Sequence, residues 1–172
     1  MNVHDQVVLR DLGENFNTTL QNFKKSSLSF LFLQIESHDR TFLDALVGQV
    51  DRFGLLNRVI FASRNALSLR KVKNVEANAV TALVVTRGPL AEQNFFDDLA
   101  DELTESVRIS ATGMFFFPRY FGVDVLLMDH ELINIEWSRK ARKYGFEVMA
   151  YDVKKIEVMK YLKAFSISYI KI

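Results

Sequence analysis

The stretch Ser27-Leu-Ser-Phe-Leu-Phe-Leu-Gln-Ile-Glu-Ser37 decides the reading of the fold. From Phe30 to Leu33 it is apolar without alternation, the mark of a strand buried on both faces, and it then turns polar at Gln34, Glu36 and His38. Such a strand meets a cleft at its C-terminal end, where α/β folds place their chemistry. Glu36 and its neighbours are therefore the first candidates for function.

Working outward, residues 11 to 17 carry Gly13, Asn15 and Asn17 and read as loop. Thr18-Thr-Leu-Gln21 is a capping-box pattern that predicts a helix over 18–25, followed by the strand over 28–35. Beyond it, Phe42, Leu43, Leu46, Val47 and Val50 recur at helical spacing, with Gly54 where the helix would stop. Arg58–Ser63 is the next strand, and Asn65 caps a helix carrying Leu67, Leu69 and Val72. Ala79–Val85 is a strand closed by Arg87-Gly88-Pro89, and 91–105 an acidic amphipathic helix whose carboxylates spread over a solvated face. Val123–Met128 is a strand, Asp129 a cap, and 131–144 a helix stopped by Gly145. Phe146–Tyr151, a helix over 154–164 and a final strand Ile167–Ile172 complete the chain. The segment 106–122, with Phe115-Phe116-Phe117 and then Tyr120 and Phe121, cannot face one side of a regular element; its aromatics are either buried under a loop or exposed as a contact patch.

About six strands separated by helix-length crossovers mean a parallel sheet, doubly wound or closed into a barrel, and periodicity alone does not separate the two. No Gly-x-Gly-x-x-Gly or Walker-type loop follows any strand, which argues against a nucleotide-binding open sheet. A length of 172 residues suits a single domain over 1–172. Lys and Arg number 22 against 21 Asp and Glu, so nothing in the charge attracts nucleic acid or an anionic membrane. With no cysteine, no disulfide or thiolate chemistry is available. No signal-peptide pattern opens the chain and no apolar run reaches the roughly 18 residues of a membrane span, so a cytoplasmic protein is expected.

The polar residues at expected strand ends are His4 with Asp5, Glu36 with His38, Ser63 with Asn65, Asp129, and Tyr151 with Asp152 and Lys154. Taken alone, His4-Asp5 reads as a frayed terminus, too close to the start for a strand to position it. Glu36, just past a buried strand, is either paired with a Lys or Arg or bound to a cation. The Lys154 and Asp152 pair holds a phosphate or neutralises itself. Trp137 lies mid-helix and is expected to pack against the sheet.

Taken in order, these landmarks resemble the glycerophosphodiester phosphodiesterase family, relatives of the phosphatidylinositol phospholipases C. Val3-His4-Asp5 is similar to the family His-Asp, and Thr19-Leu20-Gln21-Asn22 to its Thr-Leu-Glu-Glu helix start. Gln34-Ile35-Glu36 resembles its Ile-Glu-Ile-Lys strand end, and Ser63-Arg64-Asn65 its Ser-Phe motif. Gly145 to Lys154 is similar to the later Gly-x-x-Val-x-x-Trp-Thr-Val-Asn, and Ser166 to Ile172 is a faint echo of the last motif. The resemblance implies an α/β fold, a parallel (β/α) barrel of TIM type that is incomplete, its six strands matching family strands three to eight. It implies His4 as a catalytic residue, Glu36 as a metal ligand, and Tyr151 and Lys154 as substrate-binding residues. In one register Glu36 is the ligand and His38 takes the family lysine position; in the other Gln34 takes the ligand position and Glu36 replaces the lysine. The implied reaction releases an alcohol and glycerol 3-phosphate from a small-molecule phosphodiester, helped by Ca²⁺ or Mg²⁺. The family's His-Arg-Gly and Glu-x-Asp segments do not occur in the sequence, which implies impaired activity and a weak or absent metal site. The alternative is a non-catalytic binding or assembly module. Two missing strands would leave open sheet edges, to be covered by residues 106–122 or by a second copy in a homo-oligomer.

Overall fold

The computed structural model describes residues 2–3, 5–9, 14–85 and 116–170. His4, the expected acidic helix over 91–105, Arg87-Gly88-Pro89, Phe115 and the last two residues of the expected final strand lie outside them.

Strands β1 (Asn2–Val3) and β2 (Asp5–Leu9) open the chain, followed by helix α1 (Glu14–Lys25) and β3 (Leu31–Ile35). Then come α2 (Arg40–Arg52), β4 (Val59–Ser63), α3 (Ala66–Val75), β5 (Val80–Val85) and the short α4 (Phe116–Tyr120). The chain continues through β6 (Val125–Asp129), α5 (Ile135–Lys143), β7 (Glu147–Tyr151), α6 (Ile156–Ala164) and β8 (Ser168–Ile170). All strand pairs are parallel, in the order β1-β8-β7-β6-β5-β4-β3-β2. This is an incomplete α/β barrel of TIM type, and the six strands expected from the sequence are its curled wall.

Alternation along the strands separates two apolar layers. Phe32, Ile60, Ala62, Ala82, Val84, Val125, Leu127, Met149 and Ile170 pack together on the concave side. Leu31, Leu33 and Ile35 of β3, with Val59 and Phe61 of β4, pack instead under Leu20, Leu43, Leu46, Val47 and Val50 of α1 and α2. Every residue of β4 is buried, as a strand covered on both faces requires.

The two ends of the strand order correct the sequence reading. Asn2 and Val3 pair with Tyr169 and Ile170, whereas Asp5 to Leu9 pair with Leu31 to Ile35. One N-terminal run, Asn2–Leu9, thus lies against both β3 and β8, the outer two of the six expected strands. Asp5 accordingly begins a strand and is no part of a frayed terminus.

Helix α1 begins at Glu14, four residues before the Thr18 capping box, because its apolar stripe starts at Phe16 and continues through Leu20 and Phe23, all buried. Burying a stripe over three turns outweighs a local capping preference. Helix α2 is capped by Asp39, whose carboxylate accepts from Thr41 N at 2.6 Å and Phe42 N at 3.3 Å. It ends where Gly54 takes φ 67°, the left-handed turn that glycine adopts without steric cost. Asp129 caps a 3-10 turn over His130–Leu132, and Asn134 caps the helix proper, so the expected helix 131–144 starts later, at Ile135. Trp137 packs against the buried cluster between α5 and the sheet, as expected. Among the described residues no helix is long and apolar enough to cross a membrane.

Candidate functional site

Because every strand is parallel, all C-terminal ends open on one face, and the candidate residues collect there. Glu36 lies one residue past β3, Ser63 ends β4, Asp129 ends β6, and Tyr151 ends β7 with Asp152 and Lys154 just beyond. Asp129 and Tyr151 are register partners, so two candidates are direct neighbours.

Several of these residues hold the mouth together. Buried Ser63 donates from Oγ to the Ile35 carbonyl at 2.9 Å and accepts from Asn65 N at 3.1 Å. Asn65 caps α3 through Leu67 N at 2.8 Å and Ser68 N at 3.4 Å. His38 is tied outward: its Nδ1 lies 2.8 Å from Ser68 Oγ, and Ser68 donates its own proton to the Ser37 carbonyl at 3.2 Å. The imidazole must then carry its proton on Nδ1. Lys71 fixes the same loop by donating to the His38 carbonyl at 2.7 Å. Asp129 accepts from Glu131 N at 3.0 Å as a turn cap and stands 3.4 Å from His130 Nδ1.

Tyr151 is half-buried against the apolar concave layer. Lys154 Nζ lies 2.8 Å from Asp152 Oδ1, in an exposed pair that neutralises itself. Asp152 has φ 57°, a sparsely populated conformation for a non-glycine residue. Glu36 is exposed, with no hydrogen bond or ion pair to another described residue. Among the described residues no three His, Asp or Glu side chains gather as a metal ion requires. A hard divalent cation takes six or more oxygen ligands, so Glu36 and the described residues around it do not make a closed site for Ca²⁺ or Mg²⁺.

One residue of this face, named in the sequence only within Ser63-Arg64-Asn65 and given no role there, is Arg64, exposed and without a hydrogen bond or ion pair to another described residue. The signal for it was its place directly after a buried strand, the feature that singled out Glu36.

A parallel barrel whose polar side chains gather at the strand C-termini defines a TIM-type α/β protein. A scan against protein-family models finds no match to the sequence, and a search of the curated proteins finds none. Solved structures do match. A glycerophosphodiester phosphodiesterase from Parabacteroides distasonis superimposes with TM-score 0.64 at 15% identity, over 91% of this chain and 58% of that one. A second, from Agrobacterium tumefaciens, gives TM-score 0.61 at 10% identity, over 90% of this chain and 56% of that one. The EAL domain of Xanthomonas citri FimX, in complex with c-diGMP, gives TM-score 0.55 at 13% identity, over 91% and 64%. The chain has the fold of the glycerophosphodiester phosphodiesterases and spans between 50% and 58% of the length of the first five of them.

Proposed function

We propose that this chain is a glycerophosphodiester phosphodiesterase-like protein that takes a small-molecule phosphodiester at the C-terminal mouth of the barrel and hydrolyses it weakly. The observation that carries this reading is the superposition on those enzymes over 91% of the chain, together with Glu36, Tyr151 and Lys154 falling at strand C-termini of the same face. Tyr151 offers the head group an apolar wall, and Lys154 offers the phosphate a cation once it leaves Asp152. Glu36 is the carboxylate through which Ca²⁺ or Mg²⁺ would be held, weakly, with no cluster of further ligands among the described residues. His4 is the proposed acid or base by family resemblance and lies outside the described residues.

Hydrolysis of glycerophosphocholine tests the reading, with and without Ca²⁺ or Mg²⁺, in the wild type and in Glu36→Gln. The expected result is slow, metal-stimulated turnover that Glu36→Gln abolishes. No turnover under any metal condition refutes the activity. The 2.8 Å pairing of Lys154 with Asp152, and the lone standing of Glu36, favour a second reading in which the mouth binds without cutting. Binding of glycerophosphocholine without turnover would select it.

A further inference from the structure

The concave wall leads to a positive charge at the mouth that has no partner among the described residues. Ile60 and Ala62 belong to the apolar concave layer, and two residues beyond Ala62 the chain carries Arg64. Ala62 is the register partner of Gln34, so the same register carried two residues further, just past both strands, sets Arg64 level with Glu36. The backbone on either side of Arg64 is pinned. Ser63, 1% exposed, is bonded to β3 through Ile35, and Asn65 is held by Ser63 Oγ and by its own capping bonds to α3. Its guanidinium, by contrast, has no partner among the described residues.

We propose that Arg64 is the phosphate-binding side chain of this mouth. The inference rests on the phosphodiester reading above and deepens it. A planar guanidinium offers two parallel N–H donors to two phosphate oxygens, on a strand end that needs little ordering to receive them. Lys154 must first break its 2.8 Å contact with Asp152, whereas Arg64 gives up no contact to a described residue. An arginine there also supplies the positive charge that Glu36, with no other metal-ligating cluster among the described residues, does not gather as a bound metal ion. The Glu36 carboxylate, level with Arg64, repels a bound phosphate in the absence of a metal ion, a consequence that separates direct binding from binding through a metal.

Titration calorimetry in the presence of EDTA tests the proposal, using sn-glycerol 3-phosphate and inorganic phosphate as probes on the full chain. Arg64→Gln is expected to weaken glycerol 3-phosphate binding by about ten-fold or more, Arg64→Lys to restore only part of it, and Lys154→Gln to weaken it less. Glu36→Gln is expected to leave binding unchanged or tighten it. Circular dichroism confirms that each variant is folded, as expected for substitutions at exposed positions. Equal affinities in wild type and Arg64→Gln overturn the assignment while leaving the phosphodiester reading standing. Absence of binding of either probe to the folded wild type overturns both.

Discussion

Asp124, in the loop entering β6, is where a single side chain holds two strands and a helix together. Its Oδ2 accepts from Thr81 N at 2.8 Å and Thr81 Oγ1 at 3.2 Å, and lies 2.8 Å from Lys73 Nζ of α3. Thr81 is fully buried, so its amide has no water to turn to if the carboxylate is removed. An orphaned buried amide costs roughly 1–3 kcal/mol. The ion pair is worth less, about 0.2–1 kcal/mol, because the Asp124 side chain is 42% exposed. Asp124→Ala should therefore lose about 1–4 kcal/mol, a fall in Tm of about 2–16 °C for a chain of this size. Asp124→Asn keeps an oxygen for the Thr81 amide, and Lys73→Met keeps the stem that packs beside Gly122, so each should lose about 1 kcal/mol or less. Urea unfolding of the three variants checks the order. If Asp124→Asn or Lys73→Met proves as costly as Asp124→Ala, charge rather than the satisfied amide governs this joint, and the reasoning fails.

Phe32→Ala removes the largest fully buried side chain of the concave layer and should cost about 3–5 kcal/mol in urea unfolding; a loss under 1 kcal/mol would mean that this layer is not packed. Ser68→Ala should cost about 1–2 kcal/mol and speed amide exchange in the loop over residues 36–39, because it strips both the Ser37 carbonyl and His38 Nδ1 of their partner. Deleting residues 1–9 should remove amide protection along Leu31–Ile35 and produce concentration-dependent association in sedimentation, since both outer strands are then bare. A deleted chain that stays monomeric with unchanged protection would show that the N-terminal run does not hold those edges.

How much of this was legible in the sequence followed from how much each element declares by itself. Strands β3 to β7 are apolar runs interrupted by turn residues, and a strand covered on both faces writes its burial into every position, as Val59 to Ser63 does. β1 and β2 do not, because Asn2, Asp5 and Gln6 dilute Val7-Val8-Leu9 and the run is fixed by partners more than twenty residues distant. The start of α1 misled in the opposite sense: Thr18 and Gln21 form a convincing local cap, yet Phe16 lies before them and must be buried. At the mouth, Glu36 and Lys154 are charges that follow apolar strands, and Arg64 shares that signal directly after Val59–Ser63. What no pattern reveals is the division of labour. Ser63, Asn65 and His38 carry hydrogen bonds that fix the rim, and only the fold shows which polar side chains are thereby committed and which are left over.

The pairing of one N-terminal run with both β3 and β8 also bears on the width of the mouth. A full TIM barrel has eight strands, and barrel diameter grows with strand number. Among the described residues the eight paired segments include β1 and β2, which share the stretch Asn2–Leu9, so fewer than eight separate strands make up the described wall. A narrower wall has room for fewer large side chains on its concave side. The register supplies the relief: Ala62 of β4 is paired with Ala82 of β5, and both belong to the layer that buries Phe32 completely. Two adjacent alanines leave the space that a single inward phenylalanine fills, as alternation of large and small residues does in tightly packed cores. Enlarging either alanine should therefore press on Phe32 and on the strand ends that carry Glu36 and Arg64. Ala62→Leu, two residues from Arg64, should lower stability by about 1–3 kcal/mol and weaken glycerol 3-phosphate binding as well. Loss of stability with binding intact would separate the packing of the wall from the geometry of its rim.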